Sequence, residues 1–75
     1  MVFETICALL AEQLACEPER ITPSTVMLED LEMEASDLAE FMLLLEQEFT
    51  IEWTDDDLKD IRTVGELTAF VENQL

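Results

Sequence analysis

Apolar residues recur along residues 2–15 at Phe3, Ile6, Cys7, Leu10 and Leu14, with Glu4, Glu12 and Gln13 off the stripe. Steps of three and four mark one face of a helix, so the pattern predicts a first helix over 2–15. Pro18 ends it, because the residue before a proline resists α geometry. Residues 16–34 carry no such rhythm and read as a long connection. A loop of that length in a small domain has to be pinned by side chains. Ile21, Val26, Met27, Leu28 and Leu31 are the expected pins, and Thr22-Pro23 reads as a cap followed by proline at the first position of one short turn.

The rhythm returns from Ala35 or Ser36 to Phe49. Leu38, Phe41, Met42, Leu45 and Phe49 fall in one sector at 100° per residue and are expected to face a core. Ser36, Glu40, Leu43 and Gln47 fall opposite, with Asp37 and Leu44 flanking. Leu43 is the odd member, apolar among polar neighbours. One exposed leucine commonly means nothing, but beside Glu40 and Ser36 it also suits the centre of a docking surface. Residues 50–53 link onward, with Ile51 and Trp53 expected at the core's edge. Thr54 is placed to cap a short helix through Ile61, with Asp55, Asp56 and Asp57 in its first turn, where negative charge is favoured. Thr63-Val64-Gly65-Glu66 is a capping box opening a last helix, with its stripe at Val64, Leu67, Phe70, Val71 and Leu75. The sum is an all-α, four-helix bundle, three main helices and one short, in a single domain spanning 1–75.

Composition sharpens this reading. An apolar fraction of 49% supports a packed core and argues against disorder. One Gly and two Pro leave little turn chemistry for an all-β fold. The net charge is −16, from 19 acids against three bases. Arg20, Lys59 and Arg62 are those bases, and none lies between Ile21 and Leu58. A solvated acidic surface is the ordinary reading; the asymmetry favours a face that steers a basic partner. Direct binding to nucleic acid is disfavoured, since phosphates demand Lys and Arg. Cys7 and Cys16, if on one helix, stand ~13 Å apart at ~1.5 Å per residue, too far to bridge. Free cysteines and the absence of a basic signal region point to the cytoplasm. No apolar run approaches the ~20 residues of a membrane span.

The chemistry available is narrow. With no histidine, the usual general base, metal ligand and Ser-His or Cys-His pairs are missing. The Asp55–Asp57 run lacks the alternating ligands and glycine of a calcium loop, so no metal site is expected. A bundle this small leaves little room for a substrate cleft. The chain reads as a protein that is bound or acted upon, with no catalytic residues.

Several short motifs stand in register: Glu12-Gln13-Leu14, Ile21-Thr22, Glu29-Asp30-Leu31, Leu45-Glu46-Gln47-Glu48-Phe49 and Thr63-Val64-Gly65. Together they resemble the acyl carrier proteins over nearly the whole chain, without gaps. The resemblance implies a four-helix carrier fold and a 4′-phosphopantetheine arm on a serine opening the second long helix. That arm holds acyl or related groups as thioesters. It also implies docking of Asp37, Glu40 and Glu46, with outward Leu43, on basic patches of partner enzymes. Those partners are a phosphopantetheinyl transferase and acyl-handling enzymes of fatty acid, polyketide or peptide biosynthesis, with the carrier itself a monomer.

The family's Gly-x-Asp-Ser-Leu is here Glu32-Met33-Glu34-Ala35-Ser36. Ala35 has no hydroxyl and cannot form the phosphodiester. Three explanations stand: alanine introduced in place of a serine, giving a blocked arm-free form; attachment at Ser36, ~100° around the helix; or a module that acts by docking alone. Ser36 also suits a plain cap or first-turn role. An acidic mimic of nucleic acid is a further alternative.

Overall fold

A computed structural model describes residues 1–75. Helix α1 spans Val2–Leu14 and turns Ile6, Cys7, Leu10 and Ala11 inward. It stops at Ala15, which is left-handed at φ 54° and ψ 44°, while the Cys16 N–H reaches back to the Ala11 carbonyl at 3.0 Å. A left-handed residue satisfies the last carbonyls whether or not it is glycine. The helix therefore closes before Pro18 is reached. Cys16 lies off α1, and both cysteines are free.

The long connection is folded piece by piece. Pro18–Arg20 forms a 3₁₀ turn with the proline at its start. Thr22-Pro23, expected to open a helical turn, instead makes a tight turn closed by the Thr25 N–H on the Thr22 carbonyl at 3.0 Å. The Thr22 N–H donates to Thr25 Oγ1 at 2.9 Å, which explains a buried threonine there. One further helix, α2 over Met27–Asp30, follows. Its periodicity is too short to be legible in the sequence, and Asp30 Oδ2 holds it by accepting the Val26 N–H at 2.8 Å. Of the expected pins, Ile21 and Met27 are buried and Val26 and Leu31 half-buried. Leu28 is not a pin: it is 45% exposed, because the α2 turn that buries Met27 points its neighbour outward. Met33 supplies the pin that the pattern did not reveal.

Helix α3 runs Ala35–Phe49, burying Leu38, Phe41, Met42 and Leu45, with Phe49 half-buried. Helix α4, Asp55–Asp60, is capped by Thr54 and buries none of its residues. Helix α5, Val64–Glu72, opens on the Thr63–Glu66 capping box, with the Glu66 N–H on Thr63 Oγ1 and the Thr63 N–H on Glu66 Oε1, both at 3.0 Å. Val64, Leu67 and Val71 are buried; Leu75 is not part of the stripe, being 69% exposed beyond the helix end. The chain is thus all-α with five helices, α2 being the one unforeseen.

Sixteen buried apolar residues form one cluster drawn from α1, α3, α5 and the connecting segments. α1 packs chiefly on α5. The loop before α3 is stitched to the start of α5 by three backbone bonds: Met27 N–H to Arg62 O at 3.0 Å, Val64 N–H to Thr25 O at 3.0 Å, and Gly65 N–H to Pro23 O at 2.8 Å. Ile51 is buried and Trp53 half-buried at the core's edge, as the link's composition suggests. The C-terminal end is clasped to that link, Gln74 Oε1 accepting the Glu52 N–H at 2.9 Å and Gln74 Nε2 donating to Glu52 O at 2.7 Å.

Candidate functional site

The start of α3 is where the candidate residues gather. Glu34 is the N-cap, so Ala35, Ser36 and Asp37 are the first three helical residues. Asp37 Oδ2 accepts the Glu34 N–H at 2.9 Å. That bond satisfies one donor the helix start would otherwise leave open and puts negative charge at the positive end of the helix dipole. Ser36 is not the cap, since its place in the first turn leaves the capping geometry to Glu34 and Asp37. Glu34 was not read as a cap from the sequence, because Glu-x-x-Asp makes the usual box with a carboxylate in place of the Ser or Thr hydroxyl at its first position. Just upstream Glu32 holds φ 54°, at the point where the carrier motif has glycine. The sharp entry into α3 survives here without the residue that makes it easy.

Ala35 and Ser36 are both exposed, but they serve different surfaces. Ala35 borders a groove of ≈ 590 Å³ that Ser36 does not touch. Val26, Leu28, Leu38, Leu58 and Ile61 give this groove its apolar wall, and Glu29, Asp55, Lys59 and Arg62 its polar one. A chain this short was expected to have little room for a cleft. The groove lies where α2, α3 and α4 meet, and α4 buries none of its own residues. Two of the chain's three cations lie on it, a grouping that the linear spacing of Lys59 and Arg62 hints at and the fold completes. Its size is that of a small-ligand cleft.

Ser36, Glu40, Leu43 and Gln47 share the outward face of α3, all four exposed, with Leu43 at 51%. Asp37 and Glu46 are half-buried and lie on opposite flanks, roughly 180° apart at 100° per residue. Glu46 and Ala35 share the flank turned toward α4, where Glu46 borders a shallow hollow with Trp53, Asp57 and Gln74. The four expected docking residues therefore form a broad patch with Glu40 and Leu43 at its centre.

Two groups have displaced pKa values. Glu66 is held below the usual carboxylate range, first by the Thr63 and Arg62 backbone N–H groups. Burial pushes the Cys7 thiol up, with Glu4 adding to the effect, so Cys7 is a poor nucleophile. No group of three or more potential ligands is arranged to hold a metal. No helix is long and apolar enough to cross a membrane.

The family described as the phosphopantetheine attachment site matches residues 4–71. The acyl carrier protein of Thermosynechococcus vestitus is 31% identical over 74 residues, spanning 99% of this chain and 91% of the relative. That of Helicobacter hepaticus is 33% identical over 70 residues, spanning 93% and 92%. Among solved structures, an acyl carrier protein from Enterococcus faecalis superposes with a TM-score of 0.86 at 26% identity, covering 99% of this chain and 94% of that one. The arm that the family description implies is joined through a hydroxyl oxygen. Ala35 presents a methyl group at the position the motif assigns to the serine, so the residues at this position do not fit the group. With the fold, the registered motifs and relatives matched end to end in agreement, the chain belongs to the acyl carrier protein family, carriers rather than enzymes, whose cofactor is 4′-phosphopantetheine.

Proposed function

We propose that this chain is a carrier-type docking protein held in an arm-free form. Glu40 and Leu43 form the centre of its partner surface, Asp37 and Glu46 flank it, and Ala35 blocks the attachment position. It acts as a monomeric unit of residues 1–75 in the cytoplasm, where unpaired Cys7 and Cys16 suit a reducing medium. Its partners are a phosphopantetheinyl transferase and acyl-handling enzymes that present basic patches. The observation that carries the reading is the outward face of α3, where Leu43 lies 51% exposed between acids in a chain of net charge −16. An exposed apolar centre with a charged rim is the anatomy of a transient interface, the rim steering encounter and the centre supplying contact. The same face in a serine-bearing carrier would present acyl groups; here it engages without cargo.

The test is intact mass after incubation with coenzyme A and a broad-specificity transferase, on this chain and on Ala35→Ser. The expected result is one phosphopantetheine on Ala35→Ser alone. An arm on the unaltered chain would assign attachment to Ser36. An arm on neither would remove the transferase from the partners.

A further inference from the structure

The start of α3 keeps a complete surface around a missing nucleophile, and we infer that this chain is a dead-end competitor for the enzyme that transfers phosphopantetheine from coenzyme A to carrier serines. The inference rests on the docking reading above and adds a regulatory activity to it.

Alanine is serine without its hydroxyl oxygen. At an exposed position the missing oxygen leaves no cavity and no buried partner unsatisfied. The backbone at Ala35 is regular first-turn helix, held by the Glu34–Asp37 hydrogen bond. A surface shaped for a serine here therefore meets the same backbone, the same flanking acids and the same groove wall. Recognition loses at most one hydrogen bond, worth about tenfold in affinity. The chemical step loses everything, because no oxygen at position 35 exists to form the phosphodiester bond, and coenzyme A stays intact. An interaction that survives in the ground state and vanishes in the transition state gives binding without turnover.

Ser36 does not rescue the reaction. It is turned ~100° around the helix axis from Ala35. It lies among Glu40, Leu43 and Gln47 on the outward face and does not border the groove. A partner seated on that face covers Ser36 and leaves position 35 at the groove as the one presented for transfer.

The experiment measures initial rates of arm transfer to Ala35→Ser by intact mass, with the unaltered chain added at increasing concentration. Competitive inhibition is expected, with Ki within about tenfold of the KM for Ala35→Ser. Excess coenzyme A should not relieve it, and the added chain should be recovered at its original mass. Glu40→Lys with Glu46→Lys in the added chain should raise Ki at least about tenfold at low salt. Rapid modification of Ala35→Ser without any slowing by the unaltered chain would overturn the inference and remove the transferase from this chain's partners, while leaving docking on acyl-handling enzymes untouched. A gain in mass by the unaltered chain would also overturn it, by making Ser36 a substrate. Failure of Ala35→Ser to be modified would bring down the transferase docking reading and this inference with it.

Discussion

Glu32 occupies a left-handed conformation three residues before Ala35, with φ 54°. A side chain there costs about 1–2 kcal/mol in crowding of its Cβ against the backbone. Glycine removes that cost but gives back about 0.5–1 kcal/mol through the freer unfolded chain. Glu32→Gly is therefore expected to stabilise the fold by about 0.5–1 kcal/mol, seen as a higher Tm in a thermal melt. Glu32→Gln, which drops the charge and keeps the strain, separates the two effects. A Glu32→Gly melt no higher than that of Glu32→Gln would show that the entry turn stores no strain. Gly65 makes the opposite case, with an ordinary φ but no space. A Cβ there would stand 2.8 Å from the Pro23 carbonyl oxygen, a backbone atom fixed by its own bond from the Gly65 N–H.

Among the elements, α3 divides its residues most cleanly between core and surface. Its inward side is closed by Leu38, Phe41, Met42 and Leu45, while Glu40 is exposed and Glu46 half-buried. Reversing both to Lys is expected to leave far-UV circular dichroism close to that of the parent and Tm no lower, since neither carboxylate is engaged in a cap and the net charge falls from −16 to −12. Affinity for a basic acyl-handling enzyme should fall, most strongly at low ionic strength. Unchanged affinity at low salt would show that this face is not the docking surface. Asp37 behaves differently because its carboxylate caps α3, so a change there mixes docking with stability. Helix α4 depends on its Thr54–Asp57 capping box, with the Thr54 N–H on Asp57 Oδ2 at 2.9 Å, and buries none of its own side chains. Its Asp55, Leu58 and Lys59 line the groove beside Ala35.

On the scale of the whole molecule, the charge of −16 works against compactness, because crowded carboxylates repel when ionised. Protonating some of them relieves that repulsion. Glu66 works the other way. Its folded pKa is depressed, so the stability it contributes is present above the unfolded pKa and is lost only as pH falls through the lower folded value. Between pH 7 and 5 the cap is therefore intact while the overall repulsion eases. The Tm is expected to hold or rise across that interval and to drop only below the ordinary glutamate range. A melt that falls steadily from pH 7 to 5 would show that ionised carboxylates stabilise the fold on balance.

The long helices, their inward faces, the Thr54 and Thr63 caps and the carrier family were legible in the linear sequence. Each depends on spacing within a few residues of chain, and backbone geometry converts such spacing directly into a face or a cap. The exposed Leu43 was legible for the same reason. The connection between α1 and α3 was not. Its turns and the short helix α2 close on local bonds without a hydrophobic rhythm to announce them, and bonds linking Pro23, Thr25 and Met27 to Gly65, Val64 and Arg62, far along the chain, fix where the segment lies. The groove likewise needed the tertiary structure, since its walls come from α2, α3 and α4 and its cations are brought beside Ala35 only when α4 takes its place. Periodicity records what a segment does with its own neighbours, and it set Ser36 on the outward face; which distant segment completes a surface is decided by packing, and here packing set a groove beside Ala35.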